Sequence, residues 1–193
     1  MKKLKIYIGY DSKEDIAYRV CKHSLLKRSK GNVKVYSLKI QELVAKKLYD
    51  RSIDPLASTE FTYSRFLVPT LTEYKGWAIF CDCDFIFLED VSKVLENLDT
   101  SKALYCVKHD YTPKEKHKMD GQKQTIYPRK NWSSFILFNC SHFVNALQFV
   151  MPLSRAVCSN PILGVYLFKS LLSSNFTHSL IPGFVVTKPA PIP

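Results

Sequence analysis

Gly76-Trp77-Ala78-Ile79-Phe80-Cys81-Asp82-Cys83-Asp84-Phe85-Ile86-Phe87-Leu88-Glu89-Asp90 sits near the middle of the chain, and the other segments arrange themselves around it. Trp77 to Cys81 carries no charge, the pattern of a strand buried on both faces. Two carboxylates then follow, two residues apart. In an extended chain such residues share a side, so Asp82 and Asp84 are expected to project together from the carboxyl end of a buried strand. Like charges held together need a compensating cation or donors. A divalent metal with oxygen ligands fills that need, and strand ends of this kind are where open α/β sheets bind ligands. The alternative is a strand end whose acids turn to solvent or pair with lysines.

The length of 193 residues suits one domain with a real core. The net charge of +11 points to three partner classes: nucleic acid, an anionic surface, or phosphorylated small substrates. No nucleic-acid-binding motif is visible, so nucleic acid is not expected. The cysteines, Cys21, Cys81, Cys83, Cys106, Cys140 and Cys158, lack CxxC or finger spacing and read as reduced thiols in a cytoplasmic setting. The apolar run after Met1-Lys2-Lys3 is broken by Lys5 and Gly9-Tyr10-Asp11, which reads as a first strand and not a secretion signal. No window offers about 18 uninterrupted apolar residues, so no spanning helix is expected.

Leu4 to Tyr10 predicts a strand. Asp11 or Ser12 can cap the next helix, with Glu14 and Asp15 as capping-box partners. Ile16, Ala17, Val20, Cys21 and Leu25 recur at helical spacing and predict its buried stripe; Gly31 suits its stop. Val33 to Leu38 predicts a second strand, completing a βαβ unit with a parallel pair. Ile40, Leu43, Val44 and Leu48 suggest a short helix. Ser58 or Thr59 can cap another, running through Leu67 and stopped near Pro69. A short helix is expected over Leu88 to Leu98, a strand over Ala103 to Lys108, a basic binding loop over Thr112 to Asn131, a strand over Ser133 to Phe138, and a helix over Ser141 to Met151. From Gly121 onward there is no Asp or Glu; all 17 acids precede it.

If the sheet is parallel, Gly9-Tyr10-Asp11, Asp82-Cys83-Asp84 and His109-Asp110 line one edge, across which a nucleotide could lie. Asp11 could equally be a helix cap. Arg65 could fork onto a phosphate or sugar hydroxyls, or pair with Glu60 or another acid. Lys123, Arg129 and Lys130 could close over a diphosphate, or be a solvated basic loop. His109, His117 and His142 lack ligand spacing. Trp132 reads as packing, with stacking on a sugar at the site edge as the alternative. Nucleophilic triads, HExxH helices and Walker-type loops are absent.

These blocks together resemble a family. Ile8-Gly9-Tyr10-Asp11 with Glu14-Asp15-Ile16-Ala17-Tyr18, Asp54-Pro55-Leu56-Ala57-Ser58-Thr59-Glu60-Phe61-Thr62-Tyr63-Ser64-Arg65-Phe66, Phe80-Cys81-Asp82-Cys83-Asp84, His109-Asp110-Tyr111 with Lys118-Met119-Asp120-Gly121-Gln122, and Tyr127-Pro128-Arg129-Lys130-Asn131-Trp132-Ser133-Ser134 are similar to small GT-A glycosyltransferases of bacteria and large algal viruses, related in build to family-8 enzymes. The resemblance implies an α/β, Rossmann-like, mixed and mainly parallel sheet flanked by helices. It implies a GT-A nucleotide-sugar-binding domain over residues 1–139 and a divergent, poorly packed segment of the same domain over 140–193. It implies a donor that is a nucleotide-diphosphate sugar, with uridine the expected base, a glycan or other acceptor, and Mn²⁺ or Mg²⁺ held by Asp82 and Asp84. Gly9, Tyr10, Asp11, Arg65, Asp82, Cys83, Asn131 and Ser133 would contact the donor, and Arg65, Asp110 and Lys130 would serve the chemistry. The acid-free tail, with His178 its one late histidine, departs from the family's acceptor-side pattern, so a binding remnant without turnover stands as the alternative to a working transferase.

Overall fold

The computed structural model describes residues 3–52, 57–109, 130–146 and 186–187. Strand β1 (Leu4–Gly9) leads through a 3-10 turn at Ser12–Glu14 into helix α1 (Asp15–Arg28), then β2 (Val33–Leu38) and the short α2 (Ile40–Ala45). A second 3-10 turn (Ser64–Leu67) runs into α3 (Val68–Leu71), followed by β3 (Trp77–Cys81), β4 (Ile86–Phe87), β5 (Leu104–His109), β6 (Lys130–Asn139), α4 (Phe143–Ala146) and β7 (Val186–Thr187).

The main sheet has the order β2-β1-β3-β6-β5. β1 pairs parallel with both β2 and β3, whereas β6 runs antiparallel to β3 and to β5. Only β6 is therefore reversed, and the sheet is mixed and mainly parallel, as expected. The carboxyl ends of β2, β1, β3 and β5 and the start of β6 share one edge. Central strands buried on both faces explain the run of Ile6, Ile8, Ala78, Ile79, Phe80, Cys81, Leu137 and Phe138, all essentially inaccessible. β4 and β7 form a separate two-stranded ribbon.

Several local expectations are corrected. The buried stripe of α1 is Tyr18, Cys21 and Leu25; Ile16 and Val20 face out, because the helix rotates to pack on β1 and β4. The capping box gives way to Asp11 alone, which caps the 3-10 turn. Pro69 does not stop a helix but lies in the first turn of α3, where its missing N–H costs nothing. The helix expected over Leu88 to Leu98 contracts to a 3-10 turn at Val91–Leu95, which starts only at Asp90, whose Oδ1 caps it by accepting from the Ser92 N–H. Lys130 and Asn131, expected in the binding loop, belong to β6. Of the helix expected over Ser141 to Met151, α4 is the described part; Lys123, Arg129, Asp110, His117 and His178 lie outside the described residues.

Candidate functional site

Strand β3 delivers its chain to the shared edge and stops at Cys81, the last residue paired with β1, opposite Ile8. The backbone then turns through Cys83 and Asp84. The two acids thus leave the strand on a turn, which corrects the extended geometry expected for them. Four contacts hold the turn. The Asp82 amide N–H donates to the Ser134 carbonyl at 2.8 Å. Arg65 Nη1 stands 3.2 Å from Asp82 Oδ1. Cys21 Sγ rests 3.9 Å from the Asp82 carbonyl, and Cys83 Sγ donates to Glu14 Oε2 at 2.9 Å. Cys83, expected against the donor, is instead buried and turned toward Glu14. Burial, then the Glu14 hydrogen bond, push its thiol well above the ordinary range.

Arg65 is 7% exposed, so its charge is taken out of water and must be answered locally. Its Nε donates to the Thr62 carbonyl at 3.1 Å, and its Nη1 to the Ser133 carbonyl at 2.9 Å and Ser133 Oγ at 3.3 Å. The guanidinium lies 5.0 Å from the Phe80 ring centroid and 5.4 Å from that of Phe61. Burial draws its pKa below the ordinary value, while Asp82 and then Asp84 push it back up; an arginine stays charged under these conditions. The acid that pairs with it is Asp82, not Glu60.

Ser133 reaches Arg65 because of an irregularity in the sheet. On the β5 side, the register of β6 jumps from Cys106↔Ile136 to Val107↔Trp132. On the β3 side, pairing continues to Cys81↔Phe135. The residues between are released from β5 and re-aimed at the site, a common use of a bulge beside a functional edge.

At the end of β1, Asp11 is 6% exposed and both its oxygens are engaged: Oδ1 accepts from the Lys13 N–H at 3.0 Å and Oδ2 from the Glu60 N–H at 3.1 Å. Glu60 Oε1 accepts from both the N–H and the hydroxyl of Ser12. Gly9 lies under the Phe61 ring; an ideal Cβ there would fall 2.6 Å from Phe61 Cδ2. Tyr10 donates to Asp15 Oδ1 at 3.1 Å, meets Tyr18 edge-on, and has Lys39 Nζ 4.5 Å from its ring centroid. The Asp15 hydrogen bond holds the phenol above its ordinary value.

The edge thus brings together Gly9, Tyr10, Asp11, Arg65, Asp82, Cys83, Asp84 and Ser133. Lys130 and Asn131 open β6 on that edge. Sequence reasoning passed over Glu60 as the partner of Ser12, Glu14 as the partner of Cys83, and Phe61 as the cover on Gly9. The glycine that closes β1, two residues before Asp11, is the available signal for a close approach at that point. Among the described residues, the free cysteines are Cys21, Cys81, Cys83, Cys106 and Cys140, and no helix is long and apolar enough to cross a membrane.

No protein-family model matches the chain. Protein CDI of Arabidopsis thaliana is 52% identical over 141 residues, which cover 73% of this chain and 54% of that protein. The chain therefore spans about half the length of the curated relative it matches. Among solved structures, the apo form of the bifunctional glycosyltransferase WbbM aligns with a TM-score of 0.52 at 16% identity, over 80% of this chain and 34% of that one. The glycosyltransferase GlyE of Streptococcus pneumoniae TIGR4 aligns with a TM-score of 0.52 at 15% identity, over 92% and 45%. At such identities the likeness is one of fold, and the fold is that of GT-A glycosyltransferases.

Proposed function

We propose that this chain transfers a sugar from a uridine-linked nucleotide-diphosphate sugar to an acceptor, with Mn²⁺ or Mg²⁺ as cofactor. The observation that carries the reading is the acidic pair Asp82 and Asp84 at the exit of the central strand of a GT-A fold, braced by a buried arginine. The donor set fits such a cation. Two carboxylates are hard oxygen ligands, and among the described residues no cluster of three or more His, Cys, Asp or Glu forms a closed protein cage. A divalent ion that takes one or two carboxylates and completes its shell with substrate phosphates suits that arrangement.

When bound, the ion supplies Lewis-acid neutralisation of the charge that gathers on the departing diphosphate. The chain's own groups prepare the place. Asp82 and Asp84 hold the ion. Arg65 is a positioning residue: it fixes the Asp82 carboxylate and ties it to Ser133 on β6, so that little reorganisation is left for the transition state. Gly9, Tyr10 and Asp11 receive the nucleoside side of the donor, while Lys130, Asn131 and Ser133 stand on the diphosphate and sugar side. Asp110, outside the described residues, is assigned to the sugar and acceptor side.

One observation favours a second reading, a donor-binding remnant without turnover: from Gly121 onward the sequence has no Asp or Glu, a departure from the acceptor-side pattern of the family it resembles. A panel of nucleotide sugars, assayed with Mn²⁺ for release of the nucleoside diphosphate, separates the two. Metal-dependent release from a uridine-linked sugar is expected. Binding without release favours the remnant, and neither binding nor release removes both.

A further inference from the structure

The charge excess and one face of α1 find no use in the chemistry above. The helix buries Tyr18, Cys21 and Leu25 against the sheet. On a helical projection the opposite pole carries Ile16, Val20, His23 and Lys27, with Arg19 and Leu26 beside it. Ile16 is 78% exposed, Val20 48% and Leu26 50%. The solvent pole of a surface helix is ordinarily polar; here it is apolar and basic. The helix holds one acid, Asp15 in its first turn, already hydrogen-bonded by Tyr10. From Ile16 to Asn32 no further Asp or Glu occurs, while Arg19, Lys27, Arg28 and Lys30 are exposed. Lys22 is directed elsewhere, its Nζ 5.9 Å from the Tyr18 ring centroid.

We propose that this outward face of α1 docks the protein on an anionic phospholipid surface. A bilayer answers both halves of the pattern. Acidic headgroups attract Arg19 and Lys27 on that face, with Lys30 just past its end, and the headgroup boundary accepts Ile16, Val20 and Leu26. Nucleic acid would meet the cations alone and leave the apolar pole in water. The face begins two residues after Glu14, the group that holds Cys83 between the two aspartates. Docking there brings the acidic edge of the sheet close to the membrane. The inference is independent of the sugar-transfer reading, because lipid binding is measured without any donor.

The test is co-sedimentation of the chain with phosphatidylcholine vesicles, with and without phosphatidylserine. Binding is expected only with phosphatidylserine, weakening as salt rises. Ile16→Glu combined with Val20→Glu is expected to lower it about tenfold or more, with circular dichroism and thermal unfolding confirming the fold. Arg19→Gln combined with Lys27→Gln retains the apolar pole and is expected to lower affinity about fivefold per charge. Phe143→Glu, at an exposed aromatic on the far edge of the sheet, is expected to bind like the wild type. The proposal is overturned if phosphatidylserine has no effect, if both double variants bind undiminished, or if Phe143→Glu loses as much. It is equally overturned if the Ile16/Val20 variant instead abolishes self-association or duplex DNA binding in a chain that ignores vesicles.

Discussion

The two ends of strand β3 solve the same problem with opposite chemistry. At its amino end, near Trp77, backbone groups that leave the sheet are met by neutral side chains. Asn145 Nδ2 donates to the carbonyls of Ala103 and Asn139, at 2.9 and 2.7 Å. Asn139 Nδ2 donates to those of Thr100 and Lys102, and Ser141 Oγ accepts from the Gly76 N–H. At its carboxyl end the same strand meets ions: Arg65 buried against Asp82, Asp84 beside them, and Asp11 buried at the neighbouring strand end. Neutral amides satisfy a sheet end at little cost. A buried ion pair seldom stabilises a fold more than well-packed apolar groups would. Charge retained at one end, where amides serve at the other, marks the carboxyl end as the part of the sheet shaped by something other than stability.

The largest effect that would break this contrast is expected from Asp82→Ala. It strips the buried guanidinium of its nearest acid, and a loss of about 3 kcal/mol is expected in chemical denaturation, with Asp84 limiting the damage. A loss under half that would mean that Arg65 is already answered by the Thr62 and Ser133 carbonyls. Asn145→Ala probes the neutral end. Two hydrogen bonds from a side chain that is 1% exposed are lost, although each carbonyl keeps a backbone N–H donor, from Asn139 and His142, so about 2 kcal/mol should go, with uridine diphosphate affinity unchanged. A fall in affinity there would dissolve the distinction between the ends.

Gly9→Ala sharpens the comparison in another way. The new methyl displaces the Phe61 ring, which lies beside Arg65 and Phe80, and about 1.5 kcal/mol is expected from overpacking. Because the shift passes to Arg65, donor affinity should fall more than for Asn145→Ala, although stability falls less. The smallest effect is expected from pH. Burial pushes the thiols of Cys106 and Cys140 up to about 11 from 9.0, and Cys83 higher. Thiols held neutral in the fold ionise first in the unfolded chain, so their contribution is full below pH 9 and is lost as pH rises from 9 toward 11. Unfolding midpoints should be flat at neutral pH and decline over that window; a rise there would contradict the assignment.

What the residues announced in advance were features fixed by local pattern. Val33 to Leu38 and Trp77 to Cys81 are continuous apolar or alternating runs whose limits the sequence marks on its own. The rest depended on contacts between distant segments. Both Ile16/Val20 and Tyr18/Cys21/Leu25 keep helical spacing, and only packing against β1 and β4 selects the second set. The spacing of Asp82 and Asp84 suggests an extended pair until β3 loses its partner after Ile8↔Cys81 and turns. The bulge in β6 leaves no mark in Ser133-Ser134-Phe135, yet it is what carries Ser133 to Arg65. Asp11 proved to be a cap, with both oxygens on backbone N–H groups, while it remains at the edge proposed for the nucleoside.

The central claim is that Asp82 and Asp84 seat a divalent ion that grips a diphosphate. Titration calorimetry of uridine diphosphate into the wild-type chain and into Asp84→Asn, each with and without Mn²⁺, tests it most directly. Heat of binding is expected only for the wild type with Mn²⁺, with Asp84→Asn folded and silent. Equal binding by both proteins, or binding indifferent to Mn²⁺, would contradict the claim.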